Sequence, residues 1–177
     1  MNKYSLKEFL EKKLEKYSST LKNTSFDDTN KRYLCTDEST KNVYDFDEYI
    51  EENFDKSKLP ASPDAICIGD IKLYFIEFKH QRASYIDSKE IKSKFEKGTT
   101  ILKDMLESFL PKDNQFIFCV VFENQQKSRF FDSRHIESNS IKFGLQELNK
   151  EYGNFYDEII TRDINFYKKE FKNLKCS

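Results

Sequence analysis

Glycine and proline are scarce in this 177-residue chain, four and three residues respectively, and the four cysteines are widely scattered. So few backbone breakers leave little room for long flexible linkers and argue against disorder. Cys35, Cys67, Cys119 and Cys176 include no C-x-x-C pair, which argues against a zinc site or a disulfide framework. Cys67 and Cys119 fall inside apolar runs, where a thiol behaves as a small buried hydrophobe. No apolar run approaches the length of a membrane span, and the stretch Met1 to Glu8 lacks the apolar segment of a secretion signal. We therefore expect a cytoplasmic protein with no membrane partner. A positive excess is also missing: the net charge is -1, so any affinity for phosphates must come from a local basic surface.

What the chain has instead is aromatic rings, seventeen Phe and ten Tyr, among 34% charged residues. That composition predicts a single domain over residues 1–177, soluble and built around a core of rings.

Ser5 with Glu8 forms a capping box, and Phe9, Leu10, Leu14, Tyr17 and Leu21 recur at helical spacing, which predicts a helix to about Lys22. Arg32 to Cys35 reads as a short strand, the first of a sheet. From Val43 to Phe54 the pattern predicts a short helix capped by Asp45 and Glu48, with Phe46, Tyr49, Ile50 and Phe54 inward. The surrounding run, Asp37 to Asp55, is strongly acidic and suits either solvent or a basic protein partner. Asp87 with Glu90 reads as a second capping box. It opens a long amphipathic helix through Ile91, Phe95, Leu102, Met105, Leu106 and Phe109 that stops before Pro111. Lys89, Lys92, Lys94 and Lys97 crowd its first half. Gln115 to Phe122 is almost continuously apolar, as expected of a strand covered on both faces and paired in parallel across that helical crossover. Glu123 to Ser140, with Lys127, Arg129, Arg134 and His135, reads as a polar surface excursion. Ile141 to Glu151 and Phe155 to Leu174 predict two closing helices.

The chemistry concentrates between Ser62 and Gln81. Two β-rich runs flank Gly69-Asp70, a pair suited to a two-residue hairpin turn. Closing the hairpin there pairs Ile68 with Ile71 and Asp64 with Phe75. Alternation then puts Asp64, Glu77 and Lys79 on one face. Two carboxylates and an ammonium among apolar residues need compensation. A divalent cation would supply it, with Asp64 and Glu77 as hard oxygen ligands and Lys79 orienting a water.

Pro63-Asp64, followed after the hydrophobic hairpin by Glu77-Phe78-Lys79, resembles the PD-(D/E)xK nuclease superfamily of restriction enzymes and related nucleases. The resemblance, carried by about residues 32–122, implies an α/β fold: a mixed central β-sheet flanked by helices, with a restriction-endonuclease-like αβββαβ core. It implies Mg²⁺- or Mn²⁺-dependent hydrolysis of nucleic-acid phosphodiester bonds, with Asp64, Glu77 and the Phe78 carbonyl on the metal and Lys79 positioning the attacking water. The superfamily often adds a carboxylate from a helix, for which either Glu11 or Glu51 is the candidate. Gln81, Arg82 and Lys92 are candidate substrate contacts at the edge of the site. The choice between DNA and RNA is left open, as is a protein partner or a homodimer. The alternative on the same fold is an inactive interaction or immunity-type protein.

Overall fold

The structure is a computed structural model, which describes residues 5–107, 109, 114–123 and 143–170. In chain order the helices are α1 (Leu6–Leu14), α2 (Leu21–Thr24), α3 (Phe46–Asn53), α4 (Ser88–Leu106), α5 (Leu145–Glu151) and α6 (Ile164–Glu170). The strands are β1 (Ser18–Ser19), β2 (Phe26–Asp27), β3 (Arg32–Tyr33), β4 (Val43–Asp45), β5 (Ala65–Ile68), β6 (Lys72–Lys79), β7 (Gln115–Phe122) and β8 (Glu158–Asp163). Six of them form one mixed sheet in the order β1-β4-β5-β6-β7-β8, and β2 pairs with β3 in a separate ribbon. β1, β4, β5 and β6 are antiparallel neighbours, whereas β6, β7 and β8 run parallel. Helices flank the sheet, and none among the described residues is long and apolar enough to cross a membrane.

The β5–β6 hairpin forms, with its tip one residue later than predicted. The Gly69 N–H donates to the Lys72 carbonyl at 2.9 Å, so Asp70 and Ile71 make the turn. The neighbouring strand sets this position, because the Gln115 N–H donates to Ile71 O at 2.8 Å and Asn114 Nδ2 donates to Asp70 O at 3.0 Å. The ladder therefore runs from Ile68↔Leu73 to Ala65↔Ile76. A one-residue move of the tip shifts every cross-strand partner by two and keeps every side chain on its face. Asp64 lies opposite Glu77 instead of Phe75.

Three further expectations are corrected. The first helix stops at Leu14, passes through a 3-10 turn at Glu15–Tyr17 and gives way to β1. Ser18, Ser19 and Thr20 compete with the helix for backbone hydrogen bonds, and Thr20 Oγ1 caps α2 by accepting from the Asn23 N–H at 3.1 Å. The Arg32–Tyr33 strand stays outside the central sheet; the strand beside the hairpin is β4, whose Val43 and Tyr44 are buried. Three residues are too few to show a period in sequence. The predicted helix over Phe155 to Leu174 opens as β8. There Ile159 and Ile160 occupy opposite faces beside β7, and α6 starts only after Asp163, whose Oδ1 accepts from the Asn165 and Phe166 N–H groups. Beyond Glu123 the polar excursion, including Lys127, Arg129, Arg134 and His135, lies outside the described residues, as do Cys176, residues 141–142 and 171–177.

Rings fill the larger core, as the composition predicts. Tyr156 packs at 5.1 Å from Phe95, 5.2 Å from Phe118 and 5.5 Å from Phe75, centroid to centroid. α1, α3, α4 and α5 contribute Leu10, Ile50, Phe95 and Leu145 to this layer. The opposite face holds a smaller cluster in which Cys35, Cys67 and Cys119 are all buried, with α6 supplying Ile164 and Tyr167. Along β6 the larger layer receives Leu73 and Phe75 and then, by alternation, Glu77 and Lys79. α4 must cross from the end of β6 back to β7, so its first turns pass over that charged end.

Gly98, in the middle of α4, records how closely the helix approaches the segment before β5. A Cβ there would lie 2.6 Å from Pro63 Cδ and 3.2 Å from Pro63 Cγ. Helix propensity alone favours alanine by roughly 1 kcal/mol, whereas overpacking of this kind costs about 1–3 kcal/mol. We expect Gly98→Ala to lower stability in urea denaturation; a rise in midpoint would show that Pro63 yields freely.

Candidate functional site

Asp64 is fixed by backbone on both sides. Its carbonyl accepts from the Phe46 N–H at 3.0 Å, and its Oδ2 accepts from the Phe78 N–H at 2.5 Å. Across the ladder, Glu77 is completely buried. Lys79 Nζ lies 2.9 Å from Glu77 Oε1 and also pairs with Glu90. A second ammonium comes from α4: Lys94 Nζ stands 2.9 Å from Glu77 Oε2 and 3.1 Å from Asp64 Oδ1. Both contacts to Glu77 are at ion-pair distance but off the hydrogen-bonding directions, so its two oxygens have no hydrogen-bond partner among the described residues. α3 adds Asp47 in its first turn, where Oδ1 accepts from Ser62 Oγ at 2.6 Å.

Asp47, Asp64, Lys79, Glu90 and Lys94 open into a cleft of about 720 Å³, with Glu77 buried behind it. The β2–β3 ribbon forms one wall with Phe26, Asp27 and Asp28; α3 forms another with Asp47, Glu48 and Glu51; Glu90 and Lys94 of α4 close the third. His80 and Arg32 hold the ribbon in place. His80 Nε2 lies 2.7 Å from Ser25 O, and Arg32 Nη2 donates to His80 O at 2.8 Å while pairing with Glu123. Eight carboxylates and two lysine ammonium groups line the cleft. Its field is therefore negative and attracts cations.

Burial, reinforced by the Asp64 charge, pushes the Glu77 carboxyl up to about 8 against the opposing pull of Lys94 and Lys79. Burial and then the Asp64 charge likewise raise Asp47 to about 6. For Lys94, burial acts to lower the pKa, but the charges of Asp64, Glu77 and Asp47 outweigh it and hold the ammonium above its usual value. The same balance, with Glu77 as the leading opposing charge, raises Lys79.

Of the residues the sequence singles out, Asp64, Glu77 and Lys79 come together. Gln81 lines the cleft and is exposed. Arg82 is exposed outside the lining, and its carbonyl accepts from the Tyr85 N–H. Lys92 faces the start of α5, with its ammonium near Gly144; two residues on, nearly half a turn around the helix, Lys94 enters the cleft. Glu90 does not close the predicted capping box. Asp87 caps α4 alone by accepting from the Lys89 N–H, and Glu90 turns to Lys79. Glu11 lies away from the cleft, accepting from Asn42 Nδ2 at 3.0 Å beside Lys7. Glu51 reaches the cleft wall as an exposed side chain. The helix carboxylate nearest Asp64 is Asp47, one turn before Glu51. The Asp45 cap was the signal available for it, since residues just after a cap form the first turn.

Among the described residues, no group of three or more His, Cys, Asp or Glu side chains is arranged to hold a metal ion. Asp64 and Glu77 have the donor chemistry for a hard cation, and Lys94 bridges them. Comparison with protein-family models, with curated proteins and with solved structures found no match to this chain.

Glu77 and Asp47 give stability a defined pH dependence. Each has a folded pKa above its unfolded value, so the native state retains protons that the unfolded chain has lost. Their contribution is complete below the ordinary carboxylate range and is lost as pH rises through about 6 for Asp47 and about 8 for Glu77. We expect the wild-type denaturation midpoint to fall between pH 5 and 9, and Glu77→Gln to flatten that fall. Parallel profiles for the two proteins would refute a raised Glu77.

Proposed function

We propose that the chain is a metal-dependent nuclease that hydrolyses nucleic-acid phosphodiester bonds, on a restriction-endonuclease-like core. The observation that carries this reading is Glu77: a carboxyl with no solvent exposure and two oxygens lacking a hydrogen-bond partner. It stands opposite Asp64 and beside Lys79 and Lys94, behind the cleft that those three residues line. A buried carboxyl with a strongly raised pKa, set between a second carboxylate and two ammonium groups, is a candidate functional group. The order of α1, β4, the β5–β6 hairpin, α4 and β7 supports the αβββαβ reading.

Asp64 and Glu77 would hold the ion, with the Phe78 carbonyl beside them and Asp47 as the helix carboxylate in place of Glu11 or Glu51. The Asp64 and Glu77 oxygens, already bridged by the Lys94 cation, and the excess of carboxylates fit such an ion. A bound divalent cation supplies charge withdrawal from the scissile phosphate and a more acidic water. The protein's own part is positional. The Phe78 N–H fixes the Asp64 carboxylate, and the strand holds Lys79 where its ammonium can orient a water and meet negative charge developing on phosphate. Gln81, at the edge, offers an amide to a phosphate oxygen.

The lining favours one rival. Eight carboxylates against two lysines repel a polyanion until cations intervene, and the same surface suits a basic protein. An inactive, interaction-type protein would use that acidity directly.

Calorimetry with Mg²⁺ and Mn²⁺, paired with cleavage of a mixed DNA and RNA panel, separates the two. Asp64→Asn should abolish both metal binding and cleavage. Asp47→Asn should weaken metal binding by about 10–100-fold. Lys79→Ala should keep the metal and lose cleavage by about 10²–10³-fold. A wild type that neither binds metal nor cuts, at several protein concentrations, would transfer the conclusion to the interaction protein.

A further inference from the structure

The geometry points to Lys94 as an internal counter-ion that occupies the cation position between Asp64 and Glu77 and must withdraw for a divalent ion to enter. This inference rests on the metal-dependent reading above. Its ammonium lies 3.1 Å from Asp64 Oδ1 and 2.9 Å from Glu77 Oε2, so it spans the two carboxylates with the best donor chemistry for the ion. Lys79 does not compete in this way, because it touches Glu77 Oε1 without reaching Asp64 and is shared with Glu90.

Lys94 is attached here through its ammonium alone. It donates a hydrogen bond to Asp64 Oδ1 and forms an ion pair with Glu77 Oε2, contacts that a divalent ion on the same oxygens would replace. The backbone need not move, since Ile91 and Phe95 anchor α4 in the core on either side. The cleft that Lys94 itself lines gives its unbranched stem a direction in which to turn. An ammonium and a divalent ion on the same two oxygens repel each other, so one leaves as the other arrives. Once released, the ammonium stands on the cleft wall within reach of an anionic substrate. The site thus exchanges one cation for another and gains a phosphate contact in the same motion.

The test is Mn²⁺ affinity by calorimetry, with the Mn²⁺-induced rise in melting temperature as a second readout that requires no turnover. Lys94→Met should bind Mn²⁺ at least about tenfold more tightly than wild type, the size expected when a charge-assisted hydrogen bond no longer has to be broken. It should also show a larger thermal shift. Lys97→Met, on the exposed side of the same helix, should match wild type, and Lys94→Gln repeats the measurement if the Met variant does not fold. Equal or weaker binding by a folded Lys94 variant, with wild-type binding intact, overturns the inference and leaves the nuclease reading standing. Absence of Mn²⁺ binding in wild type and variants alike overturns both.

Discussion

A carboxyl group with no solvent exposure, at the end of the central strand of a core made largely of rings, dictates the arrangement of this protein's charged side chains. Glu77 is exchanged for nothing apolar, although alternation along β6 places it in line with Leu73 and Phe75. Taking such a charge out of water costs several kcal/mol, and two ammonium groups from different elements offset it in part. Burial and the neighbouring Asp64 charge outweigh both, which is why the Glu77 pKa remains raised. Residues that serve only the fold rarely remain in that condition.

The topology delivers the partners. The antiparallel β5–β6 ladder carries the start of β5 to the end of β6, which sets Asp64 opposite Glu77. The parallel pairing of β6 with β7 demands a long crossover, and α4 supplies it, bringing Glu90 and Lys94 over the same end. β4 runs directly into α3 through the Asp45 cap, so the first turn of that helix, with Asp47, lands beside Asp64. Local charge and global path are thus one arrangement. The cleft these elements enclose is lined mainly by carboxylates, so its field attracts cations and repels polyanions.

Much of the fold was legible. The hairpin, α4 and β7 each carry a long periodic or unbroken apolar signal, and the caps at Ser5, Asp45 and Asp87 are found where they were read. Misreadings fell where the signal is short or serves two periods. Leu14, Tyr17 and Leu21 sit at helical spacing, yet Ser18, Ser19 and Thr20 break the helix between them. Ile159, Ile160 and Ile164 fit a helix on paper, yet the open edge of β7 takes the first two into a strand. No local pattern announces that edge.

By itself, the sequence determined that Asp64, Glu77 and Lys79 share one face, because alternation on a strand is local and survives a two-residue change of register. It also determined the aromatic core and the crossover helix, whose apolar spacings are written in consecutive residues. Only the tertiary structure decided which cation meets the carboxylates and which helix acid stands beside them. Lys94 rather than Lys92, and Asp47 rather than Glu11 or Glu51, follow from how α3 and α4 dock on the sheet. The contacts that select them join residues some thirty or fifteen positions apart, beyond the reach of any spacing rule.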